Sequence, residues 1–342
     1  TPSMPSFPTE LTSLSSIIEA NAIESNQEDL EILPSRSEVL ACQISSWYPT
    51  FSKLPPQNAL QRKSVIFRTV IIDLPDNFKD FLLADGVQLP EGTKASTCLS
   101  NETQSWSSES ENGVGDTAEP STERIFSFPD LNEKIQLAID EMGGEVFPKL
   151  NWSAPRDATW MNGGRMSCST PGDVYLLIKS SDFCSYDVNQ ALHAVSTEED
   201  CTESDFQLQL ALRKFFTIHP QQEFRCFVKS RKLIAISQRQ ASQHYPQLSD
   251  DMERYVDLLC DFFDAVLRDE LSLPENFVFD AYLDRKERVW LVDVNVWASR
   301  TDSLLFSWEE LGTINSYDGV PSVRIVGSDK EVRVDPLASY RA

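Results

Sequence analysis

Apolar and polar residues alternate between Glu275 and Trp297 in a pattern that predicts two β-strands. The runs 277–283 and 288–294 are rich in aromatic and β-branched residues, and a polar run at 284–287 separates them. Two such runs around a charged turn predict a β-hairpin. We expect Leu283 to pair with Arg288, so that directly opposed residues share a face of the hairpin.

This register places Asp280 opposite Leu291, and it points Asp280, Asp293 and Asn295 to the same face. Carboxylate and amide oxygens in otherwise apolar strands are costly to bury unless a charged group satisfies them. Hard oxygen donors of this kind suit Mg²⁺, which takes one or two carboxylates and leaves positions for phosphate oxygens. The alternative is that the three residues face solvent on a half-exposed sheet.

The same periodicities predict elements elsewhere in the chain. Helices are predicted at 76–86, at 130–142 with Asp130 as the N-cap, at 205–218 and at 249–267. Strands are predicted at 64–73, after Glu145, at 173–179, in a second hairpin over 223–239 and in a peripheral C-terminal segment. This mixture of helices and hairpins indicates an α+β protein.

Charge and cysteine usage narrow the class of protein. The 342 residues include 30 Lys and Arg against 53 Asp and Glu, a net charge of −23, which argues against a nucleic-acid or anionic-membrane surface. The seven Cys are scattered without a CxxC pair, which predicts reduced thiols. With no apolar run long enough to span a bilayer, we expect a soluble, cytoplasmic protein that is a monomer.

Several predicted strands end in side chains that suit a nucleotide. Lys149 is a point charge for a phosphate, and the turn 153–156 offers backbone N–H groups and the Arg156 guanidinium. Lys179 ends an apolar run and is followed by Ser181 and Asp182.

In the second hairpin, pairing Lys229 with Lys232 places Glu223, Arg225 and Gln238 on one face, with Arg239 at the strand end. Singly, each of these residues is typical of an ordinary protein surface. Jointly with the Asp/Asp/Asn set, they have the composition of a Mg²⁺-nucleotide site. P-loop and Rossmann sites are excluded, because their glycine motifs are absent.

Seven sequence runs resemble the cell-division-cycle protein 123 family, a eukaryotic ATP-grasp family that helps to assemble translation initiation factor 2. They are FPKLNWSAPRDA, LLIKSSDF, EFRCFV, LIAISQR, FVFDAYL, VWLVDVN and TDSLLFSWEEL. Together with CQISSWYPTF and LPDNFKDFLLADG they extend the resemblance from Val39 to Leu311. The chain departs from the family at Val296, where the family usually has Pro.

The resemblance implies an α+β, ATP-grasp fold in which two lobes with antiparallel sheets clamp ATP. Composition predicts a flexible N-terminal extension (1–37) and a disordered acidic Ser-rich loop (91–124), which match nothing in the family. The remaining predicted parts are the N-terminal part of the first lobe (38–90), a nucleotide-binding lobe (125–182), a C-terminal ATP-grasp lobe (183–314) and a peripheral C-terminal segment (315–342).

The resemblance also implies roles for individual residues. Lys149 and Lys179 would contact phosphates, Arg156 the loop over them, Ser181 and Asp182 the adenosine end, Arg225 the terminal phosphates, and Asp280, Asp293 and Asn295 the magnesium ion. Asn151, Ala154, Glu223, Gln238 and Arg239 complete the predicted ATP contacts.

The leading hypothesis is an ATP- and Mg²⁺-dependent assembly chaperone that binds the gamma subunit of translation initiation factor 2. An ATP-grasp ligase acting through an acyl-phosphate is the main alternative, and a scaffold with a vestigial nucleotide pocket is a third. We expect slow or absent ATP hydrolysis, because the sequence identifies neither a general base nor an acceptor pocket.

Overall fold

The computed structural model describes residues 32–53, 64–96, 124–192, 195, 206–314 and 319–333. The predicted extension lies outside these residues up to position 31, and so does most of the predicted acidic loop, from 97 to 123. In the described part, no helix is both long enough and apolar enough to cross a membrane.

The elements alternate between helices and short strands. The helices are α1 (Arg36–Ala41), α2 (Ile44–Ser52), α3 (Phe78–Leu83), α4 (Pro129–Glu141), α5 (Pro171–Lys179), α6 (Asp182–Asn189), α7 (Leu248–Phe262) and α8 (Trp308–Thr313), with a 3-10 helix at Arg156–Asn162. The strands are β1 (Thr69–Asp73), β2 (Val146–Lys149), β3 (Gln209–Lys214), β4 (Glu223–Lys229), β5 (Lys232–Gln238), β6 (Phe277–Leu283), β7 (Val289–Val296) and β8 (Ser322–Arg324).

Strands β1, β3 and β2 form the first sheet, in that order and antiparallel throughout. One face of this sheet packs on α3, α4, α5 and α6 through a continuous apolar core that includes Phe78, Phe81, Ile135, Tyr175 and Leu212. The central strand β3 comes from residues 209–214. The prediction assigned residues 183–314 to the C-terminal lobe, but β3 from this range lies in the first sheet.

The second sheet has the order β7-β6-β4-β5-β8. It is antiparallel except for β8, which pairs with β5 in parallel at the edge. Phe224, Cys226, Phe277 and Phe279 of one face pack against helix α7, and the core they form extends to Trp47 of α2. Helices α1 and α2 thus pack on the second sheet. Helix α1 begins at Arg36, two residues before the predicted start of the first lobe at 38.

Two predicted elements have the wrong type. The apolar run at 173–179 was expected to be a buried strand and is helix α5. The Thr170 hydroxyl caps this helix by accepting from the Asp173 N–H, and the Asp173 carboxylate accepts from the Thr170 N–H. Pro171 occupies the first turn. The converse error is at 205–218, which was expected to be a helix and contains strand β3.

The other predicted elements are present. Both hairpins form, as β4–β5 and β6–β7, and the long helix over 249–267 is α7 followed by a single π-helical turn. Helix α4 is capped at Phe128 with Pro129 in its first turn, so the prediction that Asp130 is the N-cap is wrong. Val296 continues strand β7 opposite Phe277, where the family usually has Pro.

Candidate functional site

The hairpin β6–β7 contains a β-bulge that sets the direction of its acidic residues. Next to the turn, Leu283 pairs with Val289 and Ala281 with Leu291. The register then shifts by one residue at Val292, and Asp280 pairs with Asp293. The predicted pairing of Leu283 with Arg288 is therefore wrong. It would have placed Asp280 opposite Leu291, whereas the structure places Asp280 opposite Asp293. Asp280, Asp293 and Asn295 do share one face of the sheet, but the bulge is the reason.

Asp280 is buried and accepts two hydrogen bonds from one arginine. Arg225 is directly opposite on β4, and its Nε and Nη2 each lie 2.8 Å from a carboxylate oxygen of Asp280. Arg239 adds a third guanidinium contact at 3.5 Å. Burial alone would raise the pKa of Asp280, but the charges of Arg225 and Arg239 outweigh it and hold the pKa far below its usual value. Asp280 is an anion at neutral pH.

Asp293 is paired with a cation from the other sheet. Nζ of Lys149, at the end of β2, lies 2.8 Å from Oδ2 of Asp293 and also donates to the Trp152 carbonyl. The Lys149 side chain is 3% exposed and that of Asp293 is 18% exposed. The two opposed carboxylates are therefore each held by a cation, one within the second sheet and one from the first.

Three guanidinium groups gather around Asp280 and Glu223. Arg225 and Arg239 contact Asp280, and Nη2 of Arg156 lies 3.9 Å from Oε2 of Glu223. Burial lowers the pKa of Arg239 to about 10, and the neighbouring charges of Arg225 and Arg156 act in the same direction. Three guanidinium groups face two carboxylates here, so the cluster has an excess of positive charge, which suits a polyanion.

The second hairpin has a different register from the predicted one beyond its turn. Lys229 pairs with Lys232 as expected, but a bulge follows and Arg225 pairs with Ser237. Gln238 therefore lies opposite Phe224 and not on the face of Arg225. Its amide donates to the carbonyls of Gln240 and Gln243 and accepts from the Val326 N–H. The prediction that Gln238 shares the face of Arg225 is wrong.

Two buried carboxylates that the sequence reading missed hold the turn after β2. Asp187 of α6 accepts from the N–H groups of Trp152 and Ser153 and from the Ser153 hydroxyl at 2.7–3.0 Å. Asp157 accepts from the Ser181 hydroxyl and the Asp182 N–H. Burial raises the pKa of Asp187, although these hydrogen bonds oppose it. A signal for both was available, since each is a carboxylate within an otherwise partly apolar run.

This arrangement limits what the turn offers to a phosphate. The Ser153 N–H donates to Asp187, Pro155 has no N–H, and the Arg156 N–H donates to the Ala154 carbonyl at 2.8 Å. Among the described hydrogen bonds, only the Ala154 N–H of the turn 153–156 lacks a protein partner. The turn therefore presents one amide and the exposed Arg156 side chain, fewer groups than the sequence predicts.

Asn151 ties together three segments beside the turn. Its side chain donates to the Gln43 side chain and the Gln207 carbonyl, and it accepts from the Gln209 N–H. All of its side-chain atoms that can bond are thus used within the protein. Its place next to Lys149 makes it a residue that fixes the end of β2.

Lys179, Ser181 and Asp182 lie in the first lobe, at the junction of α5 and α6. The Lys179 ammonium donates to the carbonyls of Phe81, Leu82 and Ala84 at the end of α3. Burial lowers its pKa. Ser181 caps α6 and is buried, whereas Asp182 is exposed.

Two carboxylates and one amide fit a magnesium ion by their chemistry. Asp280, Asp293 and Asn295 supply hard oxygens on one face, and the Asn295 Nδ2 is buried without a hydrogen-bond partner among the residues that the structure describes. Nδ2 is a hydrogen-bond donor, so the partner that would satisfy it is an acceptor such as a phosphate oxygen, while the amide oxygen is the atom that suits the metal. Within the described residues, no group of three or more His, Cys, Asp and Glu could hold a metal by itself. This set therefore needs phosphate oxygens as further ligands.

Arg213 of β3 is a further residue that the sequence reading missed. Its side chain is 1% exposed, and its Nη1 donates to the Val292 carbonyl at 2.5 Å. Burial lowers its pKa to about 10, and the charge of Asp293 opposes this shift. The wrong helix prediction for 205–218 concealed it, because a helix gives no reason to place Arg213 near the hairpin.

The fold and this cluster define a two-lobed α+β protein in which four cationic side chains surround an acidic pair where the sheets meet. Residues 47–341 match the D123 family. The chain belongs to the D123 family, which confirms the resemblance found in the sequence. The α+β class predicted from the sequence is confirmed by the two sheets with their packed helices.

Individual relatives agree with this membership. The protein named translation initiation factor eIF2 assembly protein in Xenopus tropicalis is 38% identical over 315 residues, which cover 90% of this chain and 90% of that protein. Cell division cycle protein 123 of Phaeosphaeria nodorum is 41% identical over 261 residues, 75% of this chain and 67% of that protein. The solved structure of Cdc123 from Schizosaccharomyces pombe matches with a TM-score of 0.67 at 32% identity, covering 86% of this chain and 98% of that one.

Proposed function

We propose that the chain is an ATP- and Mg²⁺-binding assembly factor of the cytoplasm. It binds the gamma subunit of translation initiation factor 2 and promotes the joining of that subunit with the alpha subunit. The names of its relatives, which describe eIF2 assembly, support the partner. The charged cluster where the two sheets meet supports the nucleotide.

The observation that carries the nucleotide proposal is the pair Asp280 and Asp293, with a cation on each. Asp280, Asp293 and Asn295 would hold Mg²⁺, which when bound links carboxylates to phosphate oxygens. Lys149 and Arg225 lie beside these carboxylates, so they are placed to neutralise the phosphates of the same ligand.

The remaining proposed ATP contacts come from groups at the edge of the charged cluster and from an exposed residue of α6. Arg156 and Arg239 supply further charge at the edge of the cluster, and the Ala154 N–H supplies one backbone donor. Asp182, exposed at the start of α6, is the proposed contact for the adenosine end. Ser181 and Lys179 would act by holding Asp157 and the end of α3 in place.

Slow or absent hydrolysis is part of this proposal. A general base must accept a proton near neutral pH, and a carboxylate with a strongly lowered pKa is a weak base. Asp280 is such a carboxylate. Nucleotide would then act by favouring one arrangement of the two lobes, without a chemical step.

Calorimetry with ATP in the presence of Mg²⁺ and in the presence of EDTA tests the site. We expect binding with Mg²⁺, and a loss of about ten- to a hundredfold in the Asp293→Ala variant, since a charge-assisted contact contributes about 1.5–3 kcal/mol. Asp329→Ala is the matched control, because that carboxylate is 92% exposed. Equal ATP affinity in the unchanged protein, Asp293→Ala and Asp329→Ala would overturn the site assignment.

Mixing purified alpha and gamma subunits with and without the chain tests the assembly role. We expect the chain and Mg²⁺-ATP together to increase the yield of the alpha–gamma complex on size-exclusion chromatography, and Asp293→Ala to abolish the increase. An increase that does not depend on ATP or on Asp293 would favour a scaffold. Rapid phosphate release by the chain alone, abolished by Asp293→Ala, would favour a ligase.

A further inference from the structure

The bulge at Val292 decides which face of the second sheet receives Asp293. If the register next to the turn continued through β7, Val292 would oppose Asp280 and Asp293 would oppose Phe279. Phe279 belongs to the apolar core under helix α7. A slip of one residue moves every following side chain to the other face, so without the bulge Asp293 would point into that core.

A buried side chain from the other sheet holds this bulge. Val292 is the extra residue in β7, and its carbonyl accepts a hydrogen bond from Nη1 of Arg213 at 2.5 Å. Arg213 lies in the central strand of the first sheet, between Thr69 of β1 and Phe147 of β2. The guanidinium therefore crosses from one sheet to the bulged residue of the other.

Three aromatic rings fix the direction of the guanidinium. Its central carbon lies 6.0 Å from the ring centroid of Trp47, 5.5 Å from that of Phe67 and 5.3 Å from that of Phe147. Within the described part of the chain, its Nε and Nη2 are buried without a hydrogen-bond partner, which is a costly arrangement for a charged group.

We infer that Arg213 is a positioning residue for the proposed magnesium site, because its hydrogen bond to the Val292 carbonyl maintains the bulge that brings Asp293 opposite Asp280. This inference rests on the proposed function. Arg213 itself touches neither the metal nor the phosphates; it acts through the backbone of β7.

The test compares ATP affinity in Mg²⁺ with ATP affinity in EDTA, by calorimetry on the full chain. Arg213→Met keeps the length and loses the donor. We expect it to lower the ratio of the two affinities about tenfold, the effect of losing one well-placed ligand, while affinity in EDTA stays unchanged. Arg213→Lys retains a charge and a donor, and it should recover most of the ratio.

Phe147→Leu is the control for a purely structural role. It removes one ring beneath the guanidinium but leaves the bond to Val292, so it should lower the melting temperature and keep the affinity ratio. If Phe147→Leu lowers the ratio as much as Arg213→Met, or if Arg213→Met keeps it, the inference is overturned. If Arg213→Met does not fold, Arg213→Lys provides the test. An affinity ratio in Arg213→Lys that is no higher than the ratio in Asp293→Ala overturns the inference, and a ratio close to that of the unchanged protein supports it.

Hydrogen exchange provides a second readout that needs no nucleotide. Losing the bond to Val292 should increase amide exchange in residues 289–296 of Arg213→Met, but not in Phe147→Leu. The outcomes also separate the two proposals. If the unchanged protein shows no Mg²⁺-dependent ATP binding, the proposed function fails; if it binds but Arg213→Met has the same Mg²⁺ dependence, only the positioning role fails.

Discussion

Nζ of Lys149 lies 2.8 Å from Oδ2 of Asp293, so the last residue of strand β2 neutralises a carboxylate of strand β7 in the other sheet. Neither partner has much access to water, because the side chains are 3% and 18% exposed. Each charge is therefore compensated mainly by protein groups and little by water, and the ion pair ties together the two sheets that carry the candidate site.

Replacing Asp293 by Leu should lower the free energy of unfolding by about 3 kcal/mol, because it leaves the buried Lys149 without its ion-pair partner. The double variant Lys149→Met/Asp293→Leu should regain most of this loss, since an apolar pair of similar volume needs no compensation. Urea unfolding measures both. Losses that simply add up in the double variant would contradict the pairing.

The exposed pair Arg68 and Glu141 is a matched control for this cycle. Its side chains are 56% and 48% exposed, although their separation of 2.9 Å is almost the same as in the buried pair. Arg68→Met and Glu141→Leu should each change the free energy of unfolding by no more than about 1 kcal/mol. The contrast isolates the effect of burial from that of distance.

The lowered pKa of Asp280 predicts a pH dependence of stability. A carboxylate whose pKa is lower in the folded than in the unfolded state stabilises the fold above the unfolded value of about 3.9, and this contribution is lost as the pH falls below it. We expect Asp280→Asn to be less stable than the unchanged protein at pH 7, because Arg225 stays buried without its anion.

This difference between the two proteins should shrink as the pH falls from about 4 toward 2, since the unchanged protein then loses the same contribution. Urea unfolding at pH 7, 5, 4 and 3 measures it. Asp329→Asn, at a carboxylate that is 92% exposed, should follow the unchanged protein throughout. A constant difference between Asp280→Asn and the unchanged protein at all four pH values would exclude the ion-pair explanation.

Much of the fold was predictable because local signals and long-range packing agree. The β6–β7 hairpin has two apolar runs around a charged turn, and α7 has a clear apolar face. The family motifs then identified the fold class. The registers within the hairpins were not predictable, because each contains a bulge and nothing in the sequence marks Val292 as the residue that leaves the ladder.

The two errors in element type have different causes. The run 173–179 is buried on most sides and so lacks a helical stripe, but Thr170, Pro171 and Asp173 form a capping signature that identifies a helix start. In β3, Leu210 and Leu212 alternate with Ala211 and Arg213. A buried arginine conceals the strand pattern there, because a charge at that position predicts a solvent-facing residue.

The carboxylate of Asp187 should matter for nucleotide binding although it does not lie in the candidate site. Asp187→Ala leaves the N–H groups of Trp152 and Ser153 and the Ser153 hydroxyl without their acceptor. We expect faster hydrogen exchange in residues 150–158 and a free energy of unfolding lowered by about 1–3 kcal/mol, the cost of an unsatisfied buried donor. ATP should bind more weakly, because the same turn carries the Ala154 N–H and Arg156. Ser153→Ala removes only one of these bonds and should have a smaller effect; equal exchange in both variants would contradict the anchoring role.

Gly172 is required by a close backbone contact at the start of α5. A Cβ at this position would lie less than 3.0 Å from backbone atoms of Lys94 and Ala95. Asp173 accepts from the Ser96 hydroxyl next to this contact, so the segment 94–96 is docked on the helix. We therefore expect Gly172→Ala to lower the free energy of unfolding by about 1–3 kcal/mol.

Gly312 in helix α8 is the matched control, because no atom of the described residues lies within 4 Å of a Cβ built there. Gly312→Ala should leave stability unchanged or raise it by about 0.5–1 kcal/mol, the usual gain of helix propensity. Thermal and urea unfolding of the two variants provide the comparison. Equal stability of both variants would show that the segment 94–96 can move away at little cost.

The net charge of −23 predicts how the proposed partner associates. An acidic surface attracts a basic patch over a distance set by salt, about 8 Å at physiological ionic strength. Such steering acts mainly on the association rate and less on the dissociation rate. We therefore expect association with the gamma subunit of translation initiation factor 2 to slow at least tenfold between low and physiological salt, with little change in dissociation.

Deleting residues 97–123 tests where the steering charge lies. The deletion keeps residues 94–96, which dock on α5 through Asp173. We expect the shortened chain to bind the gamma subunit with nearly the same affinity, because fixing a segment on a partner costs about 1–2 kcal/mol of conformational entropy per residue. Stopped-flow association of both chains across a salt series measures this. Loss of binding in the shortened chain alone would place the interface on 97–123, and absence of binding by both chains would remove the gamma subunit as the partner.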